Sequence, residues 1–206
     1  MFALVMTGPP GAGETEVLAA LSDALVTDEI RHVTVEVEAL TSAYPALADD
    51  QWNAPVHAVC GLYRQFGYEL LLITATVESQ HDLDAVLAAI DADEHALVRL
   101  EAEPATLRRR IIEREPDGWP GLDQLLTAAD RLVPVIAGLD GIALAVRTEG
   151  DRAPAVAERI RRPPASPGRC GSRRLADHRP VPRPERAACY DRSGDACSLG
   201  HCGSAR

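Results

Sequence analysis

The sequence predicts a three-layer α/β domain built on a parallel sheet, followed by a tail of different character. Three observations carry this. Five short apolar runs alternate with amphipathic segments through residue 160, the pattern of repeated strand–helix units. The run at 70–73, Leu-Leu-Leu-Ile, is apolar on both faces, as a central parallel strand must be. After Arg162 the periodicity stops, while Pro and Arg become frequent.

The elements follow in order. Residues 2–7 read as a buried first strand. A glycine-rich turn leads into a helix over 15–27, with Val17, Leu18, Leu21 and Leu25 on one face. His-Val-Thr-Val-Glu-Val at 32–37 alternates in period two, predicting a second strand with Glu36 and Glu38 at its C-terminal edge. A polar loop with Pro45 spans 41–50. A helix over 50–66 places Trp52, Val56, Val59, Cys60 and Tyr63 on one stripe, and Gly67 is suited to cap it. Residues 69–77 form the third strand, 82–90 a helix, and 96–100 the fourth strand. Pro104 suits the first position of a helix running to 115. A break at 117–121 precedes a helix over 122–139 that Pro134 is expected to bend or interrupt. A fifth strand over 141–146, a turn at 148–150 and a closing helix over 153–160 complete the domain, assigned to residues 1–162.

The turn carries the first chemical signal. Gly8-Pro9-Pro10-Gly11-Ala12-Gly13-Glu14-Thr15 matches a phosphate-binding loop, G-x-x-x-x-G-K-[ST], at every position but one. Strand before, helix after and small residues between let backbone N–H groups curl toward an anion at a helix N-terminus. Thr15 falls where the hydroxyl ligand of Mg²⁺ belongs. Glu14 stands where the pattern has lysine, and the 206-residue chain contains no lysine at all, so any substitute cation must be an arginine. A carboxylate beside phosphate reverses an interaction worth about 4 kcal/mol per charge pair at ~4 Å and an effective dielectric near 20. Impaired catalysis is therefore expected.

Charge is split along the chain. Residues 1–160 hold 27 acids and 11 arginines, and residues 161–206 hold 4 acids and 10 arginines, within a net charge of −10. So acidic a body is a poor general nucleic-acid binder. There is no apolar stretch of membrane-spanning length and no export signal, so a cytoplasmic protein is expected. The tail, residues 163–206, combines low hydrophobicity with many Pro, Arg, Gly and Ser, which predicts disorder. These residue types are also what GC-rich codons yield out of frame. Cys170, Cys189, Cys197 and Cys202 lack the C-x₂-C pairing usual in structural zinc sites. Cys60, on a helix stripe, reads as a small buried hydrophobe.

With these parts laid out, the first 160 residues resemble the small P-loop kinase superfamily, the group of shikimate, gluconate, adenylylsulfate and nucleoside monophosphate kinases. Gly8 to Thr15 resembles its Walker A loop. Glu36 and Glu38 fall where many members carry an acidic substrate or base residue. Arg108, Arg110 and Arg114 resemble the arginines of the lid segment, and Thr148-Glu149-Gly150 resembles the turn that passes the adenine.

The resemblance implies sheet order 2-3-1-4-5 and transfer of the γ-phosphoryl of ATP to a small-molecule acceptor. Gly8, Gly11, Ala12, Gly13, Glu14, Thr15, Glu16, Arg108 and Thr148 would contact nucleotide. Thr15 would hold Mg²⁺. Glu38, Arg110 and Arg114 would act in catalysis. A non-catalytic nucleotide sensor on the same fold is the alternative.

Plainer readings stand beside each role. Glu38 can be a solvated strand end. Arg108 to Arg114 can be an exposed helix face paired with Glu113 and Glu115. Glu78, the acid nearest a Walker B position, reads as a solvated residue, and Asp82 as a helix cap. His57, His81 and His95 show no pairing pattern and read as surface groups. The acceptor is not legible in residues 39–68.

Overall fold

The computed structural model describes residues 1–48 and 51–162. Its center is β1 (Phe2–Thr7), buried at every position. Around it stand β2 (Val33–Glu36), β3 (Leu70–Thr74), β4 (Glu94–Glu101) and β5 (Ile142–Arg147), in sheet order β2-β3-β1-β4-β5. Every pairing is parallel, as expected.

Alternation along β1 divides the core into two layers. Phe2, Leu4 and Met6 meet Val17, Leu18, Leu21 and Leu25 of α1 (Glu14–Thr27), together with Val156 and Ile160 of α7 (Ala153–Arg161). Ala3 and Val5 face the opposite layer, with Val56 and Cys60 of α3 (Ala54–Gln65), Leu83, Val86 and Ile90 of α4 (Gln80–Ile90), and Leu132 and Ile136 of α6 (Leu122–Ala137). β3 obeys the same rule: Leu70 and Leu72 enter the first layer, Leu71 and Ile73 the second. An apolar run on both faces is thus accounted for by helices on both faces. Burial pushes the Cys60 thiol up to about 11, as suits a packed rather than reactive cysteine.

The differences from expectation are local. The backbone turns after Glu36 into a short helix, α2 (Val37–Thr41), so Glu38 sits in a helical turn rather than on a strand. Thr41 donates to the Val37 carbonyl at 2.9 Å and closes that turn. α3 starts at Ala54, with proline in its first turn, four residues later than expected. β5 begins and ends one residue later than expected.

Pro134 lies within α6 and does not divide it. It offers no N–H to the Asp130 carbonyl one turn back, but Leu126, Ala129, Leu132 and Ile136 hold the helix by their buried stripe. α5 (Pro104–Arg114) packs against α6 through Ile111, Leu126 and Ala129, making a helical pair beside the sheet.

Residues 163–206, with their cysteines and expected disorder, lie outside the described residues. Among the described residues no helix is long and apolar enough to cross a membrane.

The packing sets a scale for substitutions. Leu72 is fully buried in the sheet, and Leu72→Ala is expected to cost roughly 2–5 kcal/mol. Ser79, the N-cap of α4, accepts from the Asp82 amide at 3.1 Å, and Ser79→Ala is expected to cost about 1 kcal/mol. Chemical denaturation of both variants measures the ratio.

Candidate functional site

The site begins where β1 ends. A turn closed by the Ala12 amide on the Pro9 carbonyl, at 2.9 Å, carries the chain toward α1. Gly11 and Gly13 have φ of 87° and 95°, the left-handed region that glycine enters without penalty. At Gly11 there is also no room: a Cβ would lie 2.8 Å from the Leu107 carbonyl oxygen of α5. The first intrahelical donor of α1 is Val17, bonded to the Gly13 carbonyl at 3.0 Å. The amides of Glu14, Thr15 and Glu16 are therefore helix-start donors without helical acceptors. Among the described residues nothing accepts from them, nor from Gly11 or Gly13. Together they form an anion-seeking cup at the positive end of a helix.

On the β2–β3 side of this loop, carboxylates converge. Thr15 Oγ1 donates to Glu36 Oε2 at 2.9 Å. The Thr76 amide donates to Glu38 Oε1. Adjacent parallel strands place these groups together, since β2 pairs with β3 up to Glu36 opposite Thr74.

Glu14 joins this cluster. Its Oε1 is sealed from solvent without a hydrogen-bond donor. Burial, then the Glu38 charge, raise its pKa well above the ordinary carboxylate value. The Gly8 amide and Thr76 hydroxyl oppose the rise in part, and Glu36 adds to it. Held between the Gly8 amide and Thr76, the carboxyl sits where desolvation favors its neutral form.

The loop's other side opens into a cleft of 440 Å³ bounded by Gly11, Gly13, Val17, Arg110, Thr148 and Val156, with Ala12, Glu16 and Arg114 also on its walls. Arg110 Nη1 donates to the Gly11 carbonyl at 3.1 Å and to Thr148 Oγ1 at 2.9 Å, and Nη2 to the Thr148 carbonyl at 2.9 Å. One guanidinium thereby ties α5, the loop and the β5–α7 turn together. Thr148 is buried, and its amide bonds the Glu101 carbonyl of β4 at 2.9 Å. Arg114 faces the same cleft with an exposed side chain paired to Glu115 at 2.7 Å.

Other candidates are placed elsewhere. Arg108 pairs with Asp130 of α6 at 2.7 Å and is not part of the cleft wall. Arg109 is exposed, 3.9 Å from Glu113, which itself lies on the cleft wall. Glu78 pairs with Arg131 of α6 at 2.6 Å. Asp82 accepts from the Glu78 amide at 3.2 Å, closing the Ser79 cap. His57 Nδ1 lies 3.2 Å from the Ala89 carbonyl. Among the described residues no group of three or more His, Cys, Asp or Glu side chains is arranged to hold a metal ion.

Several residues of the site went unrecognized in the sequence, among them Thr76, Asp151 and Val156. Thr76 follows a strand end, a position that borders the loop in any parallel sheet of this order. Val156 carries no sequence signal beyond its helix stripe.

No protein-family model matches the chain, and no curated protein matches it in sequence. Solved structures do match in shape. A sugar kinase from Janibacter sp. HTCC2649 superposes with a TM-score of 0.56 at 17% identity, over 77% of this chain and 91% of that one. A gluconokinase from Sinorhizobium meliloti 1021 gives 0.54 at 18%, over 76% and 87%. A shikimate kinase from Acinetobacter baumannii, solved with shikimate, gives 0.51 at 16%, over 77% and 89%. With its all-parallel 2-3-1-4-5 sheet and a glycine turn between the central strand and its helix, the chain has the fold of the small P-loop kinases.

Proposed function

We propose that the protein binds a nucleoside triphosphate such as ATP in the cleft between loop and β5–α7 turn, and that its machinery is that of a small-molecule phosphotransferase weakened by Glu14. The observation that carries this reading is the cup of unpaired amides at the start of α1, opening beside a cleft braced by Arg110. The unpaired amides of residues 11 and 13–16 would hold the β-phosphate. Arg110, planar and fixed by three hydrogen bonds, is suited to lie against a nucleobase. Arg114 would reach phosphate only on leaving Glu115. Glu38 would serve as base or ligand for the acceptor hydroxyl, its Oε1 held by the Thr76 amide.

The residues fit Mg²⁺. Thr15 Oγ1 and Glu36 Oε2 are hard oxygen donors 2.9 Å apart at the exit of the loop. Thr15 and Glu36 would hold the ion, which when bound supplies positive charge against the phosphates. The Thr15 hydroxyl would exchange its bond to Glu36 for that role.

Among the described residues no uncommitted cation lines the cleft for the terminal phosphates. One lysine–phosphate charge pair is worth about 4 kcal/mol at ~4 Å with an effective dielectric near 20. Even half of that is roughly thirtyfold in an equilibrium or rate. A second reading, a nucleotide sensor without turnover, is favored by the same lysine-free composition.

Calorimetric titration and a turnover assay on the natural chain and on Glu14→Lys test both readings. The expected result is nucleotide binding with background turnover in the natural chain, and turnover raised about thirtyfold or more by the substitution. Equal, robust turnover in both overturns the impairment, and absence of nucleotide binding in both overturns the reading of the cleft. Arg110→Ala is expected to weaken nucleotide binding by about tenfold, from one lost stacking and bracing group.

The buried carboxyl makes a separate prediction. The folded pKa of Glu14 is raised, so the folded state binds its proton more tightly than the unfolded chain. That contribution is present at low pH and is lost as pH rises from the ordinary carboxylate value through the folded one. Glu14→Gln, neutral at every pH, is expected to melt higher than the natural chain at about pH 8, with the gap closing near about pH 4. Thermal denaturation across that range measures it.

A further inference from the structure

The three parts of a nucleotide triphosphate would meet three different surfaces here. The base end meets Arg110, Thr148 and the apolar wall of Val17 and Val156. The middle meets the unpaired amides of residues 11 and 13–16. The terminal phosphate would project past Thr15 toward β2 and β3, and what waits there is acidic: Glu36 on the Thr15 hydroxyl, Glu38 on the Thr76 amide, and the enclosed carboxyl of Glu14. Among the described arginines, only Arg110 and Arg114 line the cleft. Arg110 is fully engaged with Gly11 and Thr148, on the base side of the loop. Arg114 is neutralized by Glu115 at 2.7 Å. Arg131, on α6, is spent on Glu78 at 2.6 Å.

From this arrangement we infer that the site is built for a nucleoside diphosphate, whose β-phosphate fills the amide cup, and that a third phosphate adds no affinity. The inference rests on the nucleotide reading above and deepens it. The amides of residues 11 and 13–16 keep no acceptor within the described fold, so affinity for two phosphates survives the loss of lysine. Glu14 lies beside Glu38 and Glu36, so the third phosphate gains no cation from the described residues and approaches three carboxyl groups. Mg²⁺ between Thr15 and Glu36 would cancel part of that acidity for either nucleotide, leaving the order unchanged.

Isothermal titration of the full chain with AMP, ADP and ATP, each with Mg²⁺, decides the matter. The expected result is ADP binding at least as tightly as ATP, and AMP at least about tenfold more weakly than ADP because the cup is left empty. Glu14→Lys is expected to shift the ATP-to-ADP affinity ratio toward ATP by about tenfold or more. ATP binding tenfold tighter than ADP in the natural chain overturns the inference while leaving the nucleotide reading intact. AMP binding as well as ADP overturns it too, because the cup is then not engaged. A folded Glu14→Lys chain with an unchanged ratio removes residue 14 as its cause. No binding of any of the three overturns the nucleotide reading itself. The natural-chain ratios stand even if the substitution fails to fold, which circular dichroism checks.

Discussion

Helix α1 starts with amides that nothing in the described fold satisfies, and the architecture around it keeps them that way. The helix is pinned by Leu18, Leu21 and Leu25 against Phe2, Leu4 and Met6, with α7 packed alongside. Its start cannot fray without pulling on that layer. The turn before it passes so near α5 that only a glycine fits at residue 11. An unsatisfied polar group is costly when buried but useful where a ligand can supply the acceptor. The geometry of every neighboring group, from Arg110 to Thr15, follows from holding this helix end open at the C-terminal edge of a parallel sheet, where ligand crevices in open α/β sheets lie.

Glu14 shows how one residue can be accommodated without remaking a fold. A charge at that position would meet Glu36 and Glu38, and its carboxyl is also enclosed. Both effects act in one direction and favor the protonated form. The loop therefore keeps its curl. On the proposed reading the cost is chemical rather than conformational: no lysine stands in the loop, while the amides of residues 11 and 13–16 keep no acceptor within the described fold. A glutamate left in the cup would have repelled phosphate outright.

The arginines of α5, close in sequence, divide their labor by helical geometry. Arg110 faces the loop and Thr148, Arg108 faces α6 and Asp130, Arg109 faces solvent near Glu113, and Arg114 stands one turn beyond Arg110 on the cleft. Successive residues turn by about 100°, so a row of three adjacent arginines cannot serve one site. Arg108 and Asp130 tie α5 to α6 at an exposed distance where the bond contributes little to stability. Its effect is on the placement of the helical pair that carries Arg110 and Arg114.

The residues alone determined the layered α/β class and the position of each strand to within a few residues, because burial on two faces and alternation on one leave a periodicity that needs no partner to read. They also determined the turn, since Gly11 and Gly13 answer a local backbone demand. The sheet order came from likeness to a family rather than from the pattern, and the coordinates bear it out.

Which way Glu14 points, which arginine reaches the cleft, and that Glu78 is taken by Arg131 were decided only in three dimensions. Each depends on a partner distant in sequence, such as Glu38, Thr148 or Asp130. A charged side chain's role is set by which of several opposite or like charges the packing brings within a few ångströms, and that information is spread over the whole chain rather than written at the residue itself.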